Sequence, residues 1–227
     1  MADRGRADDM DQAPRWDERY GGDGYLFGTQ PAAFLANHAE YLTPGASALV
    51  VADGEGRNSV HLASRGLRVM AMDISSVGVG KARDLAAARG VTLETRVADV
   101  LDWDWSAATY DLVVAVFIQF LRPDQRAEVF DGMQRAIRPG GRLLLHGYRP
   151  EQIGYGTGGP PLAECLYTEE LLVSAFAGLE IERLASYDTE IDEGSGHVGM
   201  SALIDLVARK PMAERSVSVS VSSELGT

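Results

Sequence analysis

The stretch LVVADGEGRNSVHLA, Leu49 to Ala63, decides how the chain reads. An apolar, β-branched run ends at an acid, Asp53. Gly54 and Gly56 follow with one residue between them, and a helical pattern starts behind them. Glycine accepts positive φ and lets a ligand approach the backbone closely. The free N–H groups of a helix start favour an anionic or carboxylate group. The stretch therefore predicts a strand, a glycine turn that can hold something, and a helix that Gly66 can end.

The same alternation continues outward. Leu67–Asp73 (LRVMAMD) predicts a second strand, and Ser75 or Ser76 caps the next helix, with Val79, Ala82 and Ala86 on one face and Gly90 as its stop. LETRVAD, ending at Asp99, predicts a third strand, and YDLVVAVFI a fourth, apolar enough to be covered on both faces. Pro123 opens a helix with Phe130, Met133 and Ile137 along one side. RPGG predicts a turn and RLLLHGY a fifth strand. A long Gly/Pro-rich loop follows, then a helix from Thr168 to about Phe176. Two extended runs, LEIERLASYDTEI and MSALIDLVARK, joined by DEGSGH, predict an antiparallel pair. The fold class expected is α/β, a Rossmann-like doubly wound sheet of about seven strands, mostly parallel with one antiparallel C-terminal strand.

The 227 residues suit one domain with a proper core. A formal net charge of −12 argues against a broad grip on nucleic-acid phosphates. Cys165 has no intramolecular partner, which excludes a disulfide framework, and scattered His with one Cys excludes a Cys/His zinc cluster. No apolar run is long enough to cross a bilayer, and the polar first residues lack a signal core. These features predict a cytoplasmic protein with no nucleic-acid or membrane partner, and they leave the oligomeric state open. Residues 1–15 are expected to be a flexible N-terminus. Residues 16–210 are expected to form the domain, with 16–40 as a lid segment, and 211–227 a disordered tail.

In open α/β sheets ligands bind beyond the carboxyl ends of the strands. Asp73 stands about twenty residues after the glycine turn, where an acid accepts hydrogen bonds from a ribose diol. Asp99 ends the third strand, where a carboxylate can accept from an adenine amino group. Together with the glycine turn, these acids predict nucleoside binding. A dinucleotide fold carries a third glycine where this chain has Ser59, and no phosphate-cradling P-loop motif is present.

The chain resembles class I S-adenosylmethionine-dependent methyltransferases from about Trp16 to Lys210. ADGEGRNS resembles the family's first motif, AMDIS the second, RVADV the third, YDLVVAVF the fourth and IRPGGRLLL the fifth. The front segment, Trp16 to Pro31, resembles the small-molecule branch that contains tellurite-resistance and thiopurine methyltransferases. The resemblance implies S-adenosyl-L-methionine as cofactor. Gly54 and Gly56 lie near its methionine part, with Asp53 and Asn58 beside them. Asp73 takes the ribose hydroxyls, Ile74 packs on adenine, Asp99 and the Val100 N–H meet the adenine edge, and Phe117 sits by the sulfonium. One departure is visible: Val50 and Ala52 stand where the family commonly has an acid and a glycine.

On the acceptor side, His197 and Tyr148 are the candidate proton acceptors. Trp16, Arg19, Tyr20, Tyr25, Phe27, Gln119 and Arg149 are the candidate substrate contacts, with Phe120 and Arg15 similarly placed. His146, His38 and His61 read as structural. The function expected is methyl transfer to a small molecule: a thiol, a chalcogen oxyanion, or a metabolite oxygen or nitrogen. The alternatives are an NAD-type oxidoreductase and a catalytically silent cofactor-binding protein.

Overall fold

The computed structural model describes residues 12–212. Most of the flexible N-terminus and of the C-terminal tail expected from the sequence lies outside these residues. Within them, α1 (Gln12–Tyr20) starts four residues ahead of the expected domain boundary at Trp16. The short α2 (Ala33–Asn37) follows. Then come β1 (Ser47–Val51), α3 (Arg57–Ser64), β2 (Arg68–Asp73), α4 (Ser76–Ala88), β3 (Glu94–Val97) and β4 (Tyr110–Val116). The chain continues with α5 (Pro123–Ala136), β5 (Ile137–Tyr148), α6 (Gln152–Tyr155), α7 (Glu169–Ala175), β6 (Glu180–Asp192) and β7 (Val198–Arg209).

The seven strands lie in the order β3-β2-β1-β4-β5-β7-β6. The β1 to β5 pairs are parallel, and β7 runs antiparallel to both β5 and β6. The order reverses between β1 and β4, and that switch point opens a crevice at the strands' carboxyl ends. Helices cover both faces. One core layer packs Met72, Val113, Leu145 and Ile204 under α5 and α7. The other packs Val50, Val114, Leu144 and Val207 under α2 and α3. Strands buried on both sides need the continuous apolar runs seen at Leu49–Val51 and Leu112–Val116.

Local signals act where expected. Ser75 caps α4 by accepting from Gly78 N at 3.0 Å, and Thr168 caps α7 by accepting from Leu171 N at 3.2 Å. RPGG differs from expectation. It is not a free turn but the opening of β5, where Ile137 pairs with Tyr110 and the register slips before Arg142 meets Leu112. Gly140 is left-handed (φ 81°), so the chain does bend there, but inside the strand, and Gly140 N donates to Lys210 O at 2.9 Å. The Gly/Pro-rich loop also carries structure of its own, the short α6 and a 3₁₀ turn at Ala163–Cys165.

Candidate active site

A cavity of about 570 Å³ occupies the crevice. One side is lined by Gly54, Asp73, Ile74, Asp99 and Val100; the other by Trp16, Arg19, Phe117, Gln119, Tyr148 and His197.

The turn after β1 runs through three left-handed residues, Ala52 (φ 48°), Gly54 (φ 63°) and Gly56 (φ 92°). Ala52 thus holds a conformation glycine prefers, at a cost of about 1 kcal/mol. Gly56 does not line the cavity. A Cβ there would lie 2.6 Å from the Cα and Cβ of Ala82, so the glycine serves the contact of α3 with α4. Asp53 lines the cavity and turns one side of its carboxylate onto α3: Ser59 N donates to Oδ1 at 3.2 Å, and the Ser59 hydroxyl donates to Oδ2. Burial pushes Asp53 up to about 6, against the Ser59 bonds that pull it down. Val50, at the family's acid position, is a core residue.

Asp73 ends β2 with its carboxylate held in place. Gly54 N donates to Oδ2 and Ser75 N to Oδ1, both at 2.8 Å. Burial raises Asp73 to about 6, while those backbone bonds lower it. Asp99 accepts from Leu101 N at 2.9 Å through Oδ1. Asn58 lines the cavity, and its Oδ1 accepts from Ala32 N at 3.0 Å, tying the N-terminal segment to α3.

Helix α1 roofs the cavity. Gln12, Arg15, Trp16, Arg19 and Tyr20 all line it, at the spacing of one helical face. Asp17, on another face, pins α1 to the start of α4. It accepts from Ser75 Oγ at 2.5 Å, Ser76 Oγ at 3.2 Å and Val77 N at 3.1 Å. These hydrogen bonds, that of Ser75 foremost, hold the Asp17 carboxyl below its ordinary range. Tyr20 lies over the glycine turn, and a Cβ on Gly54 would meet its hydroxyl at 2.7 Å.

The other side of the cavity is a continuous wall of rings. Phe120 packs on Trp16 (centroids 6.5 Å apart), Trp16 on Tyr20 (5.4 Å), and Tyr20 on Phe27 (6.4 Å). Phe27 packs on His197 (4.4 Å), His197 on Phe117 (4.4 Å), and Phe117 on Tyr148 (4.6 Å). Phe117 is itself left-handed (φ 57°) at the end of β4, which aims its ring into this wall. Gln119 lines the cavity, but its amide is taken: it donates to Tyr148 O at 2.7 Å and accepts from Tyr148 N at 2.6 Å.

Burial pushes His197 down to about 3, helped by the positive charges of Arg57 and Arg19, so its ring stays neutral. Burial also raises Tyr148 well above its ordinary value, keeping the phenol protonated. Two candidates turn elsewhere. Tyr25 packs its ring beside α4, with its hydroxyl donating to Lys81 O at 3.3 Å. Arg149 pairs with Asp188 and, at 3.4 Å, with Glu151. His146 is structural: its Nδ1 lies 2.7 Å from Asp205 Oδ1 behind Phe117.

Sequence reasoning missed Arg57, which lines the cavity and forms a buried ion pair with Glu193 at 2.7 Å. Glu193 also accepts from Ala33 N at 2.8 Å. Glu55, buried, accepts from Leu26 N at 2.7 Å and from Lys81 Nζ at 2.9 Å. No local pattern marks these residues, because their partners lie far away in sequence. Among the described residues no group of three His, Cys, Asp or Glu side chains is placed to hold a metal ion. No described helix is long and apolar enough to cross a membrane.

Residues 48–141 match the family model described as a methyltransferase domain. Over that stretch, less than half of its length, the chain is similar to methyltransferase domains. The carboxy-S-adenosyl-L-methionine synthase of Pseudomonas putida (strain GB-1) is 37% identical over 90 residues, which cover 37% of this chain and 36% of that protein. The chain thus aligns with about a third of the length of that curated relative. A solved structure from work on the conversion of a disulfide bond into a thioacetal group during echinomycin biosynthesis superposes with a TM-score of 0.72 at 21% identity, covering 92% of this chain and 93% of that one. The N-methyltransferase NodS from Bradyrhizobium japonicum WM9, in complex with S-adenosyl-L-homocysteine, superposes with a TM-score of 0.66 at 15% identity, covering 88% of this chain and 98% of that one. Identities this low speak for the methyltransferase fold alone.

Proposed function

We propose that the protein transfers a methyl group from S-adenosylmethionine to a small molecule bound against the ring wall. The observation that carries this reading is one cavity with two unlike halves: acids at the ends of β2 and β3, and a closed aromatic surface facing them. The residues present fit the cofactor. Asp73 offers a fixed carboxylate to a diol, Ile74 and Val100 offer apolar contact to a base, and Asp99 has an oxygen left for a donor. The left-handed turn at Ala52 and Gly54 brings backbone rather than side chain to the cavity.

When bound, S-adenosylmethionine supplies an electrophilic methyl group: the acceptor's lone pair forms the new bond as the carbon–sulfur bond breaks, its electron pair staying on sulfur. The chain's own part is positioning and exclusion of water. Helix α1, pinned by Asp17, closes the roof. Phe117, held left-handed at the switch point, stands between the two halves. His197 and Tyr148 shape the acceptor side as neutral groups. Neither takes up a proton readily at neutral pH, so the acceptor arrives as a competent nucleophile. Soft or already ionised acceptors, such as a thiolate, suit this site best.

Turnover tests the proposal. Incubation with S-adenosylmethionine and a panel of thiols, phenols and amines should release S-adenosylhomocysteine with the ionised soft nucleophiles first. A folded protein that binds the cofactor and turns over none of them would support a silent binding protein instead.

A further inference from the structure

The charges around the cavity are segregated. Its carboxylates, Asp53, Asp73 and Asp99, all stand at strand ends on the cofactor side. The cations are Arg57, which is paired with Glu193, and Arg15 and Arg19, both on the cavity face of α1. Among the described residues no carboxylate lies within ion-pair distance of Arg19. Its guanidinium carbon sits 4.5 Å above the Trp16 ring and 6.0 Å from that of Phe27. A guanidinium stacked on a ring keeps its edge N–H donors free, in the fork that matches a carboxylate. The stacking also fixes the group, so little side-chain freedom is lost when an anion binds.

Resting on the methyltransferase reading, we propose that the acceptor is an aromatic anion. Its ring lies against Trp16, Phe27 and Phe117, and its charged group is held by Arg19, with Arg15 one turn back on the same helix face. Arg19 then acts as the residue that selects acceptors by charge.

The test uses the full chain saturated with S-adenosylhomocysteine, with benzoate and its neutral isostere benzamide as probes in titration calorimetry. Benzoate should bind about tenfold more tightly than benzamide, the size of a charge-assisted hydrogen bond. Arg15→Gln/Arg19→Gln should reduce that preference to within about twofold while binding S-adenosylhomocysteine as the parent does. Equal binding of the two probes, no binding of either, or a preference that survives in the double variant would overturn the proposal. Failure to bind S-adenosylhomocysteine at all would instead remove the methyltransferase reading on which it rests.

Discussion

The ion pair of Arg57 with Glu193 joins three remote pieces: the start of α3, the turn between β6 and β7, and the backbone of Ala33. Both side chains are nearly buried, 7% and 9% exposed, so removing one partner strands a charge in low dielectric. Loss of one member of such a pair costs about 3–5 kcal/mol. Arg57 borders the cavity, where a freed guanidinium reaches water, which places Glu193→Ala at the low end, about 3 kcal/mol. In a protein of this size that lowers the melting temperature by roughly 6–12 °C. Arg57→Met removes the charge as well as the partner. Combining the two changes should therefore cost less than the sum of the single variants, with a coupling of about 2 kcal/mol in a urea-denaturation cycle. Additive effects, or a Glu193→Ala cost below about 1 kcal/mol, would refute the view that this buried charge pair holds the hairpin onto the cofactor turn.

Gly56→Ala should destabilise the fold by about 3 kcal/mol, from left-handed strain and overlap with Ala82; an unchanged denaturation midpoint would contradict the packing of α3 on α4. Ala52→Gly should raise the melting temperature by roughly 1–2 °C, since relief of strain at φ 48° outweighs the added chain entropy; a fall would show that the alanine methyl matters more. Asp53 and Asp73, both lifted to about 6, give two opposite pH effects. The folded state holds more protons than the unfolded between about 4 and 6, so their contribution to stability is present below that window and is lost as pH rises through it. Affinity for S-adenosylhomocysteine, which needs the Asp73 carboxylate, should be constant above about pH 7 and about tenfold weaker at pH 5; a flat profile would mean that no diol meets that acid.

The fold was legible because its signals are local and repeated. Apolar runs ending at Asp53 and Asp73, the Ser75 cap, Pro123 at a helix start and the DEGSGH turn each act within a few residues. The bend at RPGG was legible, but not its place inside β5, because its backbone partner, Lys210, lies seventy residues away. That Asp73, Ile74, Asp99 and Val100 would share a cavity was legible for the same reason as the fold: strand-end positions follow from strand boundaries. Gly56 carried the right motif for a different purpose, since helix packing and ligand approach both call for a missing Cβ. The facing wall of the cavity was only partly legible. Trp16, Arg19 and Tyr20 share a helical face, but Tyr25 sits nearby in sequence and points away. Arg57, Glu193 and Glu55 left no trace, because a buried ion pair is defined by tertiary approach alone.

The most direct test of the central claim is equilibrium titration of the full chain with S-adenosylmethionine, S-adenosylhomocysteine and NAD, repeated on Asp73→Asn. Binding of the first two, none of NAD, and a loss of at least tenfold in the variant is the predicted result, since a ribose diol donating to a buried carboxylate gives charge-assisted bonds. No binding of either sulfur compound by folded protein, or equal binding by Asp73→Asn, would contradict it.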